Sequence, residues 1–163
     1  MKKTWQDKLK DKDSLPKVLK LEEGFPCYKA VHKMGANCGD EVVLVNPSEI
    51  VEIMKQVPKG KLATIVEICK EIARRHRVKG CCSLTTGIFI MTAANASEEA
   101  IKERKRLNIP YWRILKTNGF LNPKYPGGEL THKKLLEEEG FKTIARGKKL
   151  QVVEYEKYLV EFK

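Results

Sequence analysis

The chain holds 163 residues, with 32 Lys and Arg against 21 Asp and Glu for a formal net charge of +11. That length allows one ordinary domain with a small extension and a core that folds without staples, while the basic surplus favours polyanionic partners such as nucleic acid over a surface made basic only for solubility. The longest apolar stretch, residues 87–96, is broken by Thr92 and Asn95 and falls short of the ~20 residues a membrane helix needs, so no membrane partner is expected.

Five cysteines (Cys27, Cys38, Cys69, Cys81, Cys82) are an odd set, and no basic start leads into an apolar run, so reduced thiols and a cytoplasmic location are expected. Cys27, His32 and Cys38 lie near one another in sequence, but their spacing matches no paired-cysteine zinc pattern and a fourth ligand is missing. Neither a metal nor another cofactor is expected.

In chain order, the lysine-rich residues 1–45 read as a basic N-terminal extension: a short helix, Pro- and Gly-broken chain, then the β-branched run EVVLV at 41–45. A helix over about 47–56 follows from Asn46 as cap, Pro47 in the first turn and Glu49 three residues after the cap. PKGK (58–61) is a turn, after which Thr64 and Glu67 stand at capping-box spacing. On that second helix Ile65, Ile68, Cys69 and Ile72 share one face, leaving Lys70, Glu71, Arg74 and Arg75 to water.

The chain then breaks at 78–80, and Ser83 is the expected cap of a third helix running to about 106. Gly87, Ala93, Ala94 and Ala96 make its first half narrow enough for a second backbone to approach, whereas residues 98–106 are charged and expected in solvent. The last two helices form a helix-turn-helix candidate, with recognition at the start of the second. Residues 113–128, RILKTNGFLNPKYPGG, predict a small β-ribbon or wing turning at Asn118-Gly119. A helix over 132–141 stopped by Gly140 and a terminal hairpin with a last helical turn complete the chain.

From about Pro47 to Phe141 this order, with VPKGKLATIVEIC, PYWR, KYPGG and LLEEEG, resembles the DNA-binding domain of the O6-alkylguanine-DNA alkyltransferases and their non-transferring relatives, the alkyltransferase-like proteins. The resemblance implies an α+β, mainly helical fold: a winged helix-turn-helix over 46–141, between the extension at 1–45 and a C-terminal hairpin and tail at 142–163. It also implies double-stranded DNA as partner, contact through the minor groove and a damaged base rotated into a pocket. A base stacked on an aromatic recovers about 1–3 kcal/mol, so adjacent aromatics suit such a pocket.

PYWR stands where the transferases have Pro-Cys-His-Arg, so Tyr111 and Trp112 replace the acceptor cysteine and its histidine, while Glu139 matches the family's glutamate. Alkyltransferase-like proteins also replace the cysteine but keep the histidine; this chain has neither. Tyr111, a phenol with no adjacent base, is not expected to accept an alkyl group. Ile65 stands for the tyrosine that turns the nucleotide and Ser83 for the arginine that fills the vacated stack, and the interval from Gly87 to Pro110 is longer than the family's by roughly three turns at 3.6 residues each.

The implied base pocket comprises Tyr111, Trp112, Tyr125, Gly127 and Gly128. Candidate DNA contacts are Ser83, Thr85, Thr86, Asn95 and Lys124. Arg113 has the structural role of the motif arginine, as an ion pair or a phosphate contact, and Trp112 is either a stacking surface or a partner of Glu139 through its indole N–H.

Three functions are consistent with these residues. The first is recognition of damaged or modified DNA without transfer, at the nucleoid, on behalf of downstream repair proteins. The second is a glycosylase-like hydrolysis of a flipped nucleotide, with Glu139 as general base and Tyr111 beside it. The third is a non-catalytic winged scaffold for nucleic acid or protein.

Overall fold

The structure, a computed structural model, describes residues 3–10 and 15–162. Residues 1, 2 and 11–14 of the expected extension, and residue 163 of the tail, lie outside the described residues. Helix α1 (Trp5–Lys10) is followed by strand β1 (Lys17–Lys20), helix α2 (Tyr28–Lys33) and strand β2 (Glu41–Leu44). β1 and β2 pair antiparallel, and β2 continues in parallel with β4 (Gly80–Cys81). The expected boundary at 45/46 therefore falls within one sheet, and the N-terminal segment is built into the domain. Among the described residues no helix is long and apolar enough to cross a membrane.

Helix α3 (Pro47–Lys55) starts as expected: Asn46 accepts the Glu49 N–H, and Pro47 occupies the first turn, where its missing donor costs nothing. After strand β3 (Ala63–Thr64), helix α4 (Ile65–His76) carries a complete capping box between Thr64 and Glu67, a device worth about 1 kcal/mol. Ile68, Cys69 and Ile72 enter the main core with Ile50, Ile53 and Met54 of α3. Glu71, expected in water, is instead buried. Arg74 donates to its two oxygens at 2.6 and 2.7 Å and Arg75 at 3.0 Å, so the charge is paid for by pairing rather than by hydration. Those hydrogen bonds, Arg74's foremost, hold the Glu71 carboxyl below its ordinary pKa against the opposing effect of burial.

Residues 78–80 are more than a break, because they lead into β4. The Cys82 N–H bonds the Val43 carbonyl as a continuation of that pairing, so Cys82 and not Ser83 is the N-cap of helix α5 (Ser83–Lys102). Ala93, Ala94 and Ala96 are fully buried, and α5 packs against α1 and α3 across this narrow surface. The helix stops four residues short of the expected 106. Arg104 is left-handed (φ 62°), and the N–H groups of Arg104 and Lys105 bond back to the Ile101 and Ala100 carbonyls in a Schellman closure that a non-glycine residue does not announce. The charged half is also only partly in solvent: Glu99 accepts the Trp5 and Gln6 N–H groups at 3.1 and 3.2 Å, an anion at the α1 N-terminus.

Residues 113–128 do not form a ribbon of their own. Strand β5 (Ile114–Leu115) pairs in parallel with β3, and the chain turns through Asn118 and Gly119, both at positive φ. Phe120 then bridges to Gln151 of the terminal hairpin, formed as expected by β6 (Thr143–Arg146) and β7 (Lys149–Val152), before a 3-10 turn at Tyr155–Tyr158. Helix α6 (Gly128–Glu138) begins four residues earlier than expected and closes on Gly140 in a Schellman motif. The result is α+β and mainly helical, as expected, with the loop at 116–127 standing beside α4 and α5.

Candidate nucleic-acid interface

The PYWR segment points inward. Tyr111 is 2% exposed, its hydroxyl donates to Glu98 Oε1 at 2.8 Å, and its ring meets Trp112 and Tyr125 edge-to-face at 5.4 and 5.3 Å. Burial, then the hydrogen bond and charge of Glu98, push the phenol pKa up. A phenolate nucleophile at this position is therefore disfavoured twice, by desolvation and by a neighbouring carboxylate.

Trp112 and Arg113 converge on Glu139. The indole N–H donates to Oε2 at 2.9 Å, while Arg113 Nε and Nη2 donate to Oε1 and Oε2 at 2.9 Å each. Arg113 Nη1 reaches the Val57 carbonyl at 2.8 Å, so one guanidinium ties together the PYWR turn, the end of α6 and the segment after α3. Burial alone would raise the Glu139 pKa, but the hydrogen bonds from Arg113 and Trp112, with the charges of Arg113 and Lys59, hold it below the ordinary carboxylate value. Such a carboxylate is a weak proton acceptor, and its lone pairs are already directed at three donors.

His132 is a second tie that the sequence reading missed. Its Nε2–H donates to the Trp112 carbonyl at 2.8 Å and its Nδ1 accepts the Asn122 N–H at 3.1 Å, which requires the neutral ring. Burial lowers its pKa to about 4. Tyr125, against which His132 packs, spends its hydroxyl on the Ile114 carbonyl at 2.9 Å. Gly127 and Gly128 serve the turn into α6: Gly127 sits at φ 82°, and a Cβ there would come within 2.3 Å of Thr131 Oγ1.

The open space lies elsewhere. A groove of about 1010 Å³ runs between α4, the first half of α5, α2 and the 114–125 segment. Its walls are largely apolar, with Ile65, Leu84, Ile88 and Met91 among them, and Lys29, Lys33, Lys70, Lys116 and Lys124 stand around it. Of the expected site residues it takes in Ser83, Lys124 and Tyr125. It does not take in Tyr111, Trp112, Gly127 or Gly128, so the expected five-residue base pocket is not assembled. Thr86 is buried with its hydroxyl 3.2 Å from the Cys81 thiol, Thr85 donates to the Cys82 sulfur at 3.4 Å, and Asn95 donates to the Met91 carbonyl at 2.9 Å. These three serve the packing of α5.

Leu84 and Ile88, missed in the sequence, are 53% and 56% exposed. With Met91 they follow i, i+4, i+7 spacing, the same signal that marks a core-facing stripe, so periodicity gave no reason to place them outside.

No family model matches the chain, and no curated protein does. Solved structures that resemble it include the Schizosaccharomyces pombe ATL protein in complex with DNA, at 17% identity, covering 71% of this chain and 94% of that chain with a TM-score of 0.52. They also include S. pombe Atl1 in complex with damaged DNA containing O6-carboxymethylguanine, at 18% identity, the same coverage and a TM-score of 0.48. At such identities the likeness is one of architecture: this chain has the fold of an alkyltransferase-like protein.

Proposed function

We propose that the chain binds double-stranded DNA through the lysine-bordered groove, from the minor-groove side, and recognises a damaged or modified base without accepting an alkyl group. The observation that carries this reading is the groove itself: apolar walls between α4, α5 and the 114–125 segment, ringed by five lysines on a chain of net charge +11. The ATL protein whose fold it resembles was crystallised with DNA, which supports the same partner here. An extruded nucleotide would lie beside Ile65 and Leu84 on the groove wall rather than on Tyr111 or Tyr125, whose rings are committed to the core. With the acceptor position filled by a buried phenol, the bound lesion would be left to downstream repair proteins, in the cytoplasm at the nucleoid.

The hydrolytic alternative asks Glu139 to take a proton from water. Its engagement by Arg113 and Trp112 argues against that role, and Tyr111 faces Glu98 instead.

Fluorescence anisotropy with a labelled duplex over a salt series tests the reading. Each phosphate contact contributes about 0.9 to the slope of log affinity against log salt, so Lys116→Glu/Lys124→Glu should weaken binding and flatten the slope by about 2. A salt-independent affinity, or a double variant that binds as the parent does, would count against the groove as the DNA surface.

A further inference from the structure

We propose that Leu84 and Ile88 form an apolar wedge that enters the base stack of duplex DNA held in the groove; this rests on the DNA-binding reading above. The two side chains are four residues apart on α5 and therefore stand one above the other on one face. Both are more than half exposed, although single exposed apolar residues elsewhere on the surface carry no such meaning. What distinguishes this pair is its setting. Gly87, between them, presents no side chain, and a Cβ there would come within 3.3 Å of the Ile65 side-chain tip that lines the same groove, while Leu84 and Ile88 on either side stay free. The ridge lines the same groove as Lys70, Lys116 and Lys124.

An apolar ridge bordered by cations fits a partner that is anionic outside and flat and apolar within. A base pair step meets that description, with phosphates facing the lysines and the stacked rings facing Leu84. Leucine and isoleucine offer no hydrogen bond to a base edge, so the pair separates bases without reading them, and small apolar wedges of this kind kink a duplex as they enter it. The wedge would thus act as a positioning element, opening the step from which a damaged base leaves the stack.

A duplex carrying 2-aminopurine at its centre reports the step directly, because that base brightens when unstacked. Fluorescence is measured at saturating full-length protein, with anisotropy on the same samples to establish saturation and a thermal melt of each variant to establish folding. The parent should bind and brighten the probe. Leu84→Ala/Ile88→Ala should still bind with salt-dependent affinity while the brightening falls about fivefold, and Leu84→Phe, which keeps a wedge, should retain it. Brightening by the double alanine variant equal to the parent's would overturn the wedge and leave DNA binding intact. So would a parent that binds without brightening. A parent that fails to bind any duplex would overturn both.

Discussion

Arg113 grips Glu139 through two parallel hydrogen bonds of 2.9 Å while its third arm holds the Val57 carbonyl, with both charged side chains only 14% and 10% exposed. Bidentate geometry in this setting is structural: it fixes the PYWR turn against α6 and keeps the carboxylate ionised. Removing one member strands the other's charge. Glu139→Ala should lower the unfolding free energy by about 3 kcal/mol in urea melts at neutral pH. Unchanged stability would mean that the carboxylate is held for another purpose.

His132 makes stability depend on pH. Its folded pKa of about 4 lies below the reference value of 6.5, so the unfolded chain binds more protons between these limits and stability falls as the solution is acidified. The contribution is complete above pH 6.5 and is lost progressively down to about pH 4, amounting to about 3 kcal/mol. Protonation would turn Nδ1 from an acceptor into a donor facing the Asn122 N–H. His132→Gln should be less stable at pH 7 and should show a smaller further loss on acidification than the parent; parallel pH profiles would remove His132 from the account.

Tyr111 separates a core role from a pocket role. Tyr111→Phe removes only the hydrogen bond to Glu98 and should cost about 1 kcal/mol, whereas Tyr111→Ala empties a filled core position and should cost about 3–5 kcal/mol. Because the ring does not line the groove, Tyr111→Phe should leave the ratio of affinities for lesion and plain duplex unchanged. A collapse of that ratio with stability preserved would return Tyr111 to the binding surface.

What could be read from the residues divides along physical lines. The starts of α3 and α4 were legible because Asn46 and the Thr64–Glu67 pair act within one turn of themselves. The pairing of β2 with β4 was not, since two short strands separated by two helices carry no local mark of parallel partnership. Trp112 and Arg113 converge on Glu139 while Tyr111 turns to Glu98, a division that could not be read from the residues because sequence spacing does not tell which way a ring points. A lysine surplus was evident, whereas the ring it makes around Leu84 and Ile88 depends on α2, α4, α5 and the 114–125 segment meeting in space. Glu71 was misplaced because helical periodicity assigns a carboxylate to water and cannot see two arginines closing over it.

Recognition without transfer is tested most directly by incubating the full chain with matched duplexes, one plain and one carrying O6-methylguanine, and recording both affinity and intact protein mass. The modified duplex should bind more tightly, with the protein mass and the DNA both unchanged. A protein mass increased by one methyl group would contradict recognition without transfer, as would equal affinity for the two duplexes.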